Sequence, residues 1–294
     1  TFTDFEVFKI EGRYGGGFGL RKRFSSTLTI PPFHDVNLKV QLFKSTNNDY
    51  LDDVYKWTEG RLTRIIAGYT YSNYGRFWRT KFSLSFESST VLSDFNYSKI
   101  YSELVQSFRL PYGYLLALRF FGGYGKGSIP SQTKFFLASS SPIEQFYQPI
   151  YRSKVFSADV RKHIEPYGGA GLRGYFDQNF ADDRAYSANV ELRFPSFLPF
   201  VKVPILGQFF RTLIFFDAGK VWSQGERASL KNLRYDLGVG LRSNLLEQIS
   251  NLTNLLSDAG IKTVRFDFPI YVSHPLNGEK KLKFRWILGF DATF

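Results

Sequence analysis

The 294-residue chain has no cysteine and no methionine, and only three histidines, His34, His163 and His274. Without cysteine there is no disulfide scaffold, no thiol nucleophile and no thiolate-held zinc or iron–sulfur centre. Three histidines spread this far apart do not make a metal site, so no metal and no cofactor is expected. No apolar run approaches the ~18 residues that a membrane-spanning helix needs. A chain without methionine does not begin at its own start codon, and no charged-then-apolar targeting stretch opens it, so the expectation is a processed or cropped polypeptide. Catalytic motifs are missing too. There is no His-Glu-x-x-His and no Gly-x-Ser-x-Gly, and the run Gly122 to Gly127 lacks the Ser or Thr that a phosphate-binding loop places after its lysine. Gly15-Gly16-Gly17-Phe18-Gly19 opens no helix and is expected to be a kink or close-packed bend in a strand. No enzyme is expected.

What the chain has in excess is aromatic residues, 32 Phe, 18 Tyr and 4 Trp, together with a net charge of +12. Two structures use so many large rings: stacking platforms for nucleic acid and the aromatic girdles of transmembrane barrels. Periodicity decides between them. Leu282, Phe284, Trp286, Leu288, Phe290, Ala292 and Phe294 alternate with Lys281, Lys283, Arg285, Ile287, Gly289, Asp291 and Thr293. The same period of two sets Val36, Leu38, Val40 and Leu42 against Asn37, Lys39 and Gln41, and Ala188, Val190, Leu192 and Phe194 against Ser187, Asn189, Glu191 and Arg193. The apolar faces are large and often aromatic, where a shared soluble core needs small residues for interdigitation. Many segments run to ~9–11 residues, the length that crosses a bilayer at a tilt. The reading is an all-β, transmembrane antiparallel barrel with no nucleic-acid partner.

About twelve such segments are visible, near 5–19, 21–30, 36–44, 61–72, 77–88, 98–110, 114–123, 186–194, 212–222, 234–243, 263–273 and 281–294. One long loop, about 124–185, interrupts them, and a loop of that length inside a compact barrel is usually functional. Between two strands, Leu245, Leu246, Ile249, Leu252, Leu255 and Leu256 share one helical face, which predicts a turn helix over 245–259.

Gly171-Leu172-Arg173-Gly174-Tyr175 stands out in the long loop, and the motifs Val190 to Pro195, Phe215 to Gly219, Gly238 to Arg242 and Val264 to Phe268 follow it in order. This succession, from about Gly168 to Phe294, resembles the bacterial surface antigen superfamily, which includes the BamA-like insertases and the two-partner-secretion translocators. The resemblance implies a sixteen-stranded barrel of the bacterial outer membrane, of which residues 1–294 would lack N-terminal strands and an upstream soluble domain. It implies that the long loop folds into the lumen with its tip, Leu172, Arg173, Gly174 and Tyr175, against the wall. Arg173 would be the anchoring cation, and Glu191 and Asp217 its partners. Glu191 falls on the polar face of its strand, whereas Asp217 shares parity with Leu213 and Phe215, so its inward placement rests on the motif. Gly289, Ala292 and Phe294 look like the terminal signal by which outer-membrane barrels are recognised for insertion.

The implied function is insertion or translocation of polypeptides. Its partners would be outer-membrane lipid or lipopolysaccharide, client polypeptides, and periplasmic or lipoprotein accessory subunits. Two alternatives stay open. One is a barrel that anchors or exports a missing N-terminal lipase or peptidase. The other is a passive or lipid-handling channel biased to anions by Lys9, Arg13, Lys39, Arg79, Lys81, Lys283 and Arg285 on the polar faces.

Overall fold

The computed structural model describes residues 2–10, 13–25, 31–46, 58–138, 164–166, 169–175, 180–195, 210–243, 264–275 and 278–290. Fifteen strands occur among them: β1 Phe2–Ile10, β2 Arg13–Phe24, β3 Phe33–Ser45, β4 Gly60–Tyr74, β5 Trp78–Ser89, β6 Tyr97–Arg109, β7 Leu115–Gly127, β8 Phe135–Phe136, β9 Ile164–Pro166, β10 Ala181–Asp182, β11 Arg184–Arg193, β12 Phe210–Trp222, β13 Arg234–Ser243, β14 Val264–Val272 and β15 Ile287–Phe290. Thirteen form one sheet in the order β1-β2-β3-β4-β5-β6-β7-β11-β12-β13-β14-β15-β9, antiparallel at every step except the last, where β9 adds to β15 in parallel. The pair β8 and β10 lies apart from this sheet, at the two roots of the long loop.

Alternation assigns the two faces. Phe18, Leu20, Val36, Leu38, Phe86, Ile100, Phe120, Ile214, Phe216, Val239 and Phe266 are all exposed. They stand on one face of their strands, as side chains facing hydrocarbon do. The opposite face carries Gln41, Arg64, Glu87, Lys99, Arg119, Asn189, Glu191, Asp217, Asp236 and Asp267, all buried. That is the inverse of a soluble sandwich, and it follows because the described part of the long loop packs on the polar face.

Several expected boundaries shift. The first two strands turn between Ile10 and Arg13, not near residue 20, because Ile10 pairs with Arg13 and the register continues unbroken to Phe2 and Arg21. The Gly15–Gly19 stretch is therefore no kink: it pairs regularly with both neighbours. Its glycines instead leave room for inward side chains, since a Cβ at Gly17 would come 3.1 Å from Gln41 Cγ and one at Gly19 would come 3.1 Å from Lys39 Cγ. β7 continues to Gly127, which moves the start of the long loop past residue 124. Among the described residues the last strand is Ile287–Phe290, preceded by a bridge between Leu282 and Tyr271, while 291–294 lie outside them. Arg285 is buried, while Lys283 is exposed and bonds Glu279 at 2.7 Å instead of lining a wall strand. The expected helix over 245–259 lies outside the described residues, as do the side chains of Lys9 and Arg13.

Candidate functional site

The inner wall is notched with glycine where the loop lies. A Cβ at Gly123 would meet the Phe135 ring at 2.6 Å, one at Gly125 would meet Ile129 Cδ1 at 2.4 Å, and one at Gly219 would meet Leu172 Cδ1 at 2.9 Å. The rejected phosphate-loop resemblance of Gly122–Gly127 is thus explained by packing: the glycines on the inner face admit the root of the long loop. Phe121, Phe135, Leu137, Ala170, Leu172, Tyr175, Ala185 and Val272 form one buried cluster there. Lys99 of β6 donates to the Thr133 carbonyl and lies 4.4 Å from the centroid of the Phe135 ring, and Arg64 of β4 bonds Glu87 of β5 at 2.8 Å.

At the tip, Arg173 is 4% exposed. Its Nε and Nη2 donate to the two oxygens of Asp217 at 2.7 and 2.6 Å, and its Nη1 donates to Glu191 Oε1 at 2.6 Å. Its backbone N–H also reaches Asp217, at 3.2 Å, and its guanidinium carbon stands 3.7 Å from the centroid of the Phe215 ring. A planar fork that satisfies two carboxylates at once suits arginine and no other side chain. Burial opposes the charge, but Asp217 and Glu191 outweigh it and hold the guanidinium protonated above its ordinary range. Asp217 is inward although Leu213 and Phe215 share its parity, because those two side chains are buried on the inner face as well, Phe215 beneath Arg173, and the apolar Ile214 and Phe216 face outward.

Three further arginines complete the arrangement, and sequence reasoning missed them. Arg193 reaches Glu191 Oε2 with Nε at 2.9 Å and Nη2 at 2.8 Å, and Arg242 of β13 donates to Glu191 Oε1. Fully buried Arg119 of β7 bonds Glu103 at 2.8 and 2.6 Å, Asn189 at 3.0 Å, and the loop carbonyls of Ala170 and Gly169 at 3.2 and 2.7 Å. Asn189 in turn donates to the Gly171 carbonyl at 3.0 Å. The available signal was parity: Arg193 and Asn189 share Glu191's face at a spacing of two. Gly174 brings the tip close against the wall, where a Cβ would come 2.6 Å from Asp236 Cβ and 2.8 Å from Val272 Cγ2. The Tyr175 hydroxyl meets Ser273 Oγ at 3.0 Å and accepts from the His274 N–H at 3.2 Å. Burial pushes its phenol up. Tyr175→Phe should therefore lower stability by about 1 kcal/mol, the value of one such bond, read as a lower thermal midpoint with the loop still in place.

The structure thus brings Leu172, Arg173, Gly174 and Tyr175 together with Glu191 and Asp217. Gly289 lies apart on β15, where a Cβ would come 2.1 Å from Arg265 Nε, while Ala292 and Phe294 lie outside the described residues. Residues 34–245 match the Omp85 superfamily domain. The chain belongs to the Omp85 superfamily. No curated protein matches it in sequence. Among solved structures, this Omp85 chain is similar to BamA from Haemophilus ducreyi lacking POTRA domains 1-3, with a TM-score of 0.53 and 14% identity over 94% of this chain and 53% of that one. It therefore spans about half the length of the structure it matches. The Omp85 fold settles the meaning of the two faces: this is a β-barrel of the bacterial outer membrane, apolar toward lipid and polar toward its lumen.

Proposed function

We propose that this Omp85 barrel inserts or translocates polypeptides, by pairing an incoming strand with the edge of its own sheet while the long loop governs the lumen. The observation that carries the reading is β9. A three-residue segment of the long loop, Ile164–Pro166, is added to Leu288–Phe290 of β15 as a parallel strand, so this edge accepts an extra strand. Strand addition of this kind recognises main chain more than side chains, as a machine with many clients requires. Client polypeptides are the partners this mechanism needs, outer-membrane lipid is its surroundings, and periplasmic or lipoprotein subunits would deliver the clients. In the closed state, Arg173 with Glu191 and Asp217 acts as the anchor that keeps the loop tip in the lumen.

The test uses the absence of cysteine. An Ile164→Cys and Leu288→Cys pair, placed at opposed register positions, should tether β9 to β15 on oxidation. Protein reconstituted in lipid vesicles should speed the folding of an unfolded outer-membrane barrel polypeptide, scored by its gain of protease resistance. The oxidised tether should abolish that assistance and reduction should restore it. Unchanged assistance from the oxidised protein would sink the proposal.

A further inference from the structure

The inner wall is unevenly charged along its length. At the end opposite the entry of the long loop, Arg211 of β12 stands directly across from Arg242 of β13, and Arg242 directly across from Arg265 of β14. Three arginines in one row across three strands is costly, because directly opposed like charges destabilise a sheet. Around the wall at the same end, β5 starts with Arg79 and Lys81 on the inner face and β6 finishes with Arg109 on it. Arg79, Lys81, Arg109 and Arg211 are all exposed, and none forms an ion pair among the described residues. Arg79 lies 5.5 Å from the centroid of the Tyr74 ring, and Arg109 donates to the Arg76 carbonyl at 3.4 Å, so neither meets a carboxylate.

Among the described residues, the nearby acids are committed to other cations. Asp267 is buried 3.4 Å from Arg265. Glu191 is consumed by Arg173, Arg193 and Arg242. Asp35 is consumed by Arg21 and Arg23, which bond it at 2.9 Å each. Charges of one sign gathered at the end of a wall with a low-dielectric face focus their field on whatever approaches.

We propose that this end of the wall is a docking site for acidic, extended polypeptide segments, whose carboxylates would sit among Arg79, Lys81, Arg109 and Arg211. The proposal rests on the polypeptide-handling reading and names the chemistry of the segment that enters first. An extended acidic chain fits better than a single small anion, because the four cations lie on β5, β6 and β12 and are spread around the wall instead of converging on one point.

The experiment measures fluorescence anisotropy of labelled decaglutamate, decalysine and a neutral glycine–serine decamer with the purified protein in uncharged detergent. Decaglutamate should bind, decalysine and the neutral peptide should not, and added salt should weaken the binding. The combined variant Arg79→Gln, Lys81→Gln, Arg109→Gln and Arg211→Gln should lose about tenfold or more in affinity. Its fold is checked by protease protection of the loop, since none of the four residues touches the Arg173 anchor. Equal binding of neutral and acidic peptides, or undiminished binding by the variant, would overturn the proposal. So would capture of phosphatidylglycerol vesicles without any binding of decaglutamate, which would make the occupant a lipid headgroup. The vesicle folding assay separates the two readings: if it fails while decaglutamate binding stands, insertion is lost and the docking site remains.

Discussion

Arg173→Ala should free the loop tip from the lumen wall. The substitution leaves Asp217 and Glu191 buried, with Asp217 deprived of the two bonds that the Arg173 side chain donates to it and left only the one from the backbone N–H. Breaking a buried pair from one side costs about 3 kcal/mol or more, since the remaining charge is stranded. At 1.4 kcal/mol per tenfold, that shifts the docked-to-released equilibrium by about a hundredfold. Two readouts should move together. The 169–175 segment should become cleavable by protease in barrels that still run as folded species, and planar-bilayer recordings should show more frequent openings than the parent protein gives. A loop as protected as in the parent, with the same opening frequency, would refute the anchoring role. Arg173→Lys should fall short of rescue, because an ammonium cannot span both carboxylates with the same fork.

The second large effect belongs to Glu191→Gln. One carboxylate, 1% exposed, is the common partner of Arg173, Arg193 and Arg242. An amide keeps the shape but carries no charge, so three guanidinium groups would converge on a neutral group. The expected loss is about 3–5 kcal/mol, seen as a lower denaturant midpoint in detergent. Arg193→Gln should cost much less, because its side chain is 19% exposed and water can take over part of its role. The double variant Arg173→Ala with Glu191→Gln should lose less than the sum of the single losses, since each removes part of what the other depends on. Strict additivity would mean that the two residues are not coupled.

The sheet was legible in the sequence wherever one face meets lipid and the other meets water, as in Val36 to Leu42 or Ala188 to Phe194, because the period of two then appears directly as alternating polarity. It was less legible at both ends of the chain. In the Phe2–Phe24 hairpin the second strand mixes glycine with aromatic residues, so the alternation of polarity lapses just after the turn between Ile10 and Arg13 and does not mark it. In Lys281–Trp286 the alternation is complete, yet the backbone there follows the ion pairs of Glu279 with Lys283 and Arg285. Around the loop the inner wall abandons polarity for size: Gly123, Gly125 and Gly219 are there to leave space, which a hydrophobic pattern does not register. Arg173 was singled out by the resemblance of its motif. Arg193 and Arg242 lie inside motifs of the same succession and Arg119 in none, but those motifs assign them no partner; the register that places them beside Glu191, Asn189 and the loop carbonyls reveals their part.

The partners of Arg173 are spread along the chain, Glu191 lying 18 residues away and Asp217 44, while the carboxylate of Glu191 is shared with Arg242 51 residues further on. Such contacts carry a large loop-closure cost, so they form late in folding. No single hairpin can assemble them. β11, β12 and β13 must already be in register before the tip has anywhere to seat. Seating of the tip therefore works as a completion signal for the barrel. During refolding, protection of residues 169–175 should lag behind the appearance of β-structure, and a misregistered wall should leave the tip accessible to quality-control proteases.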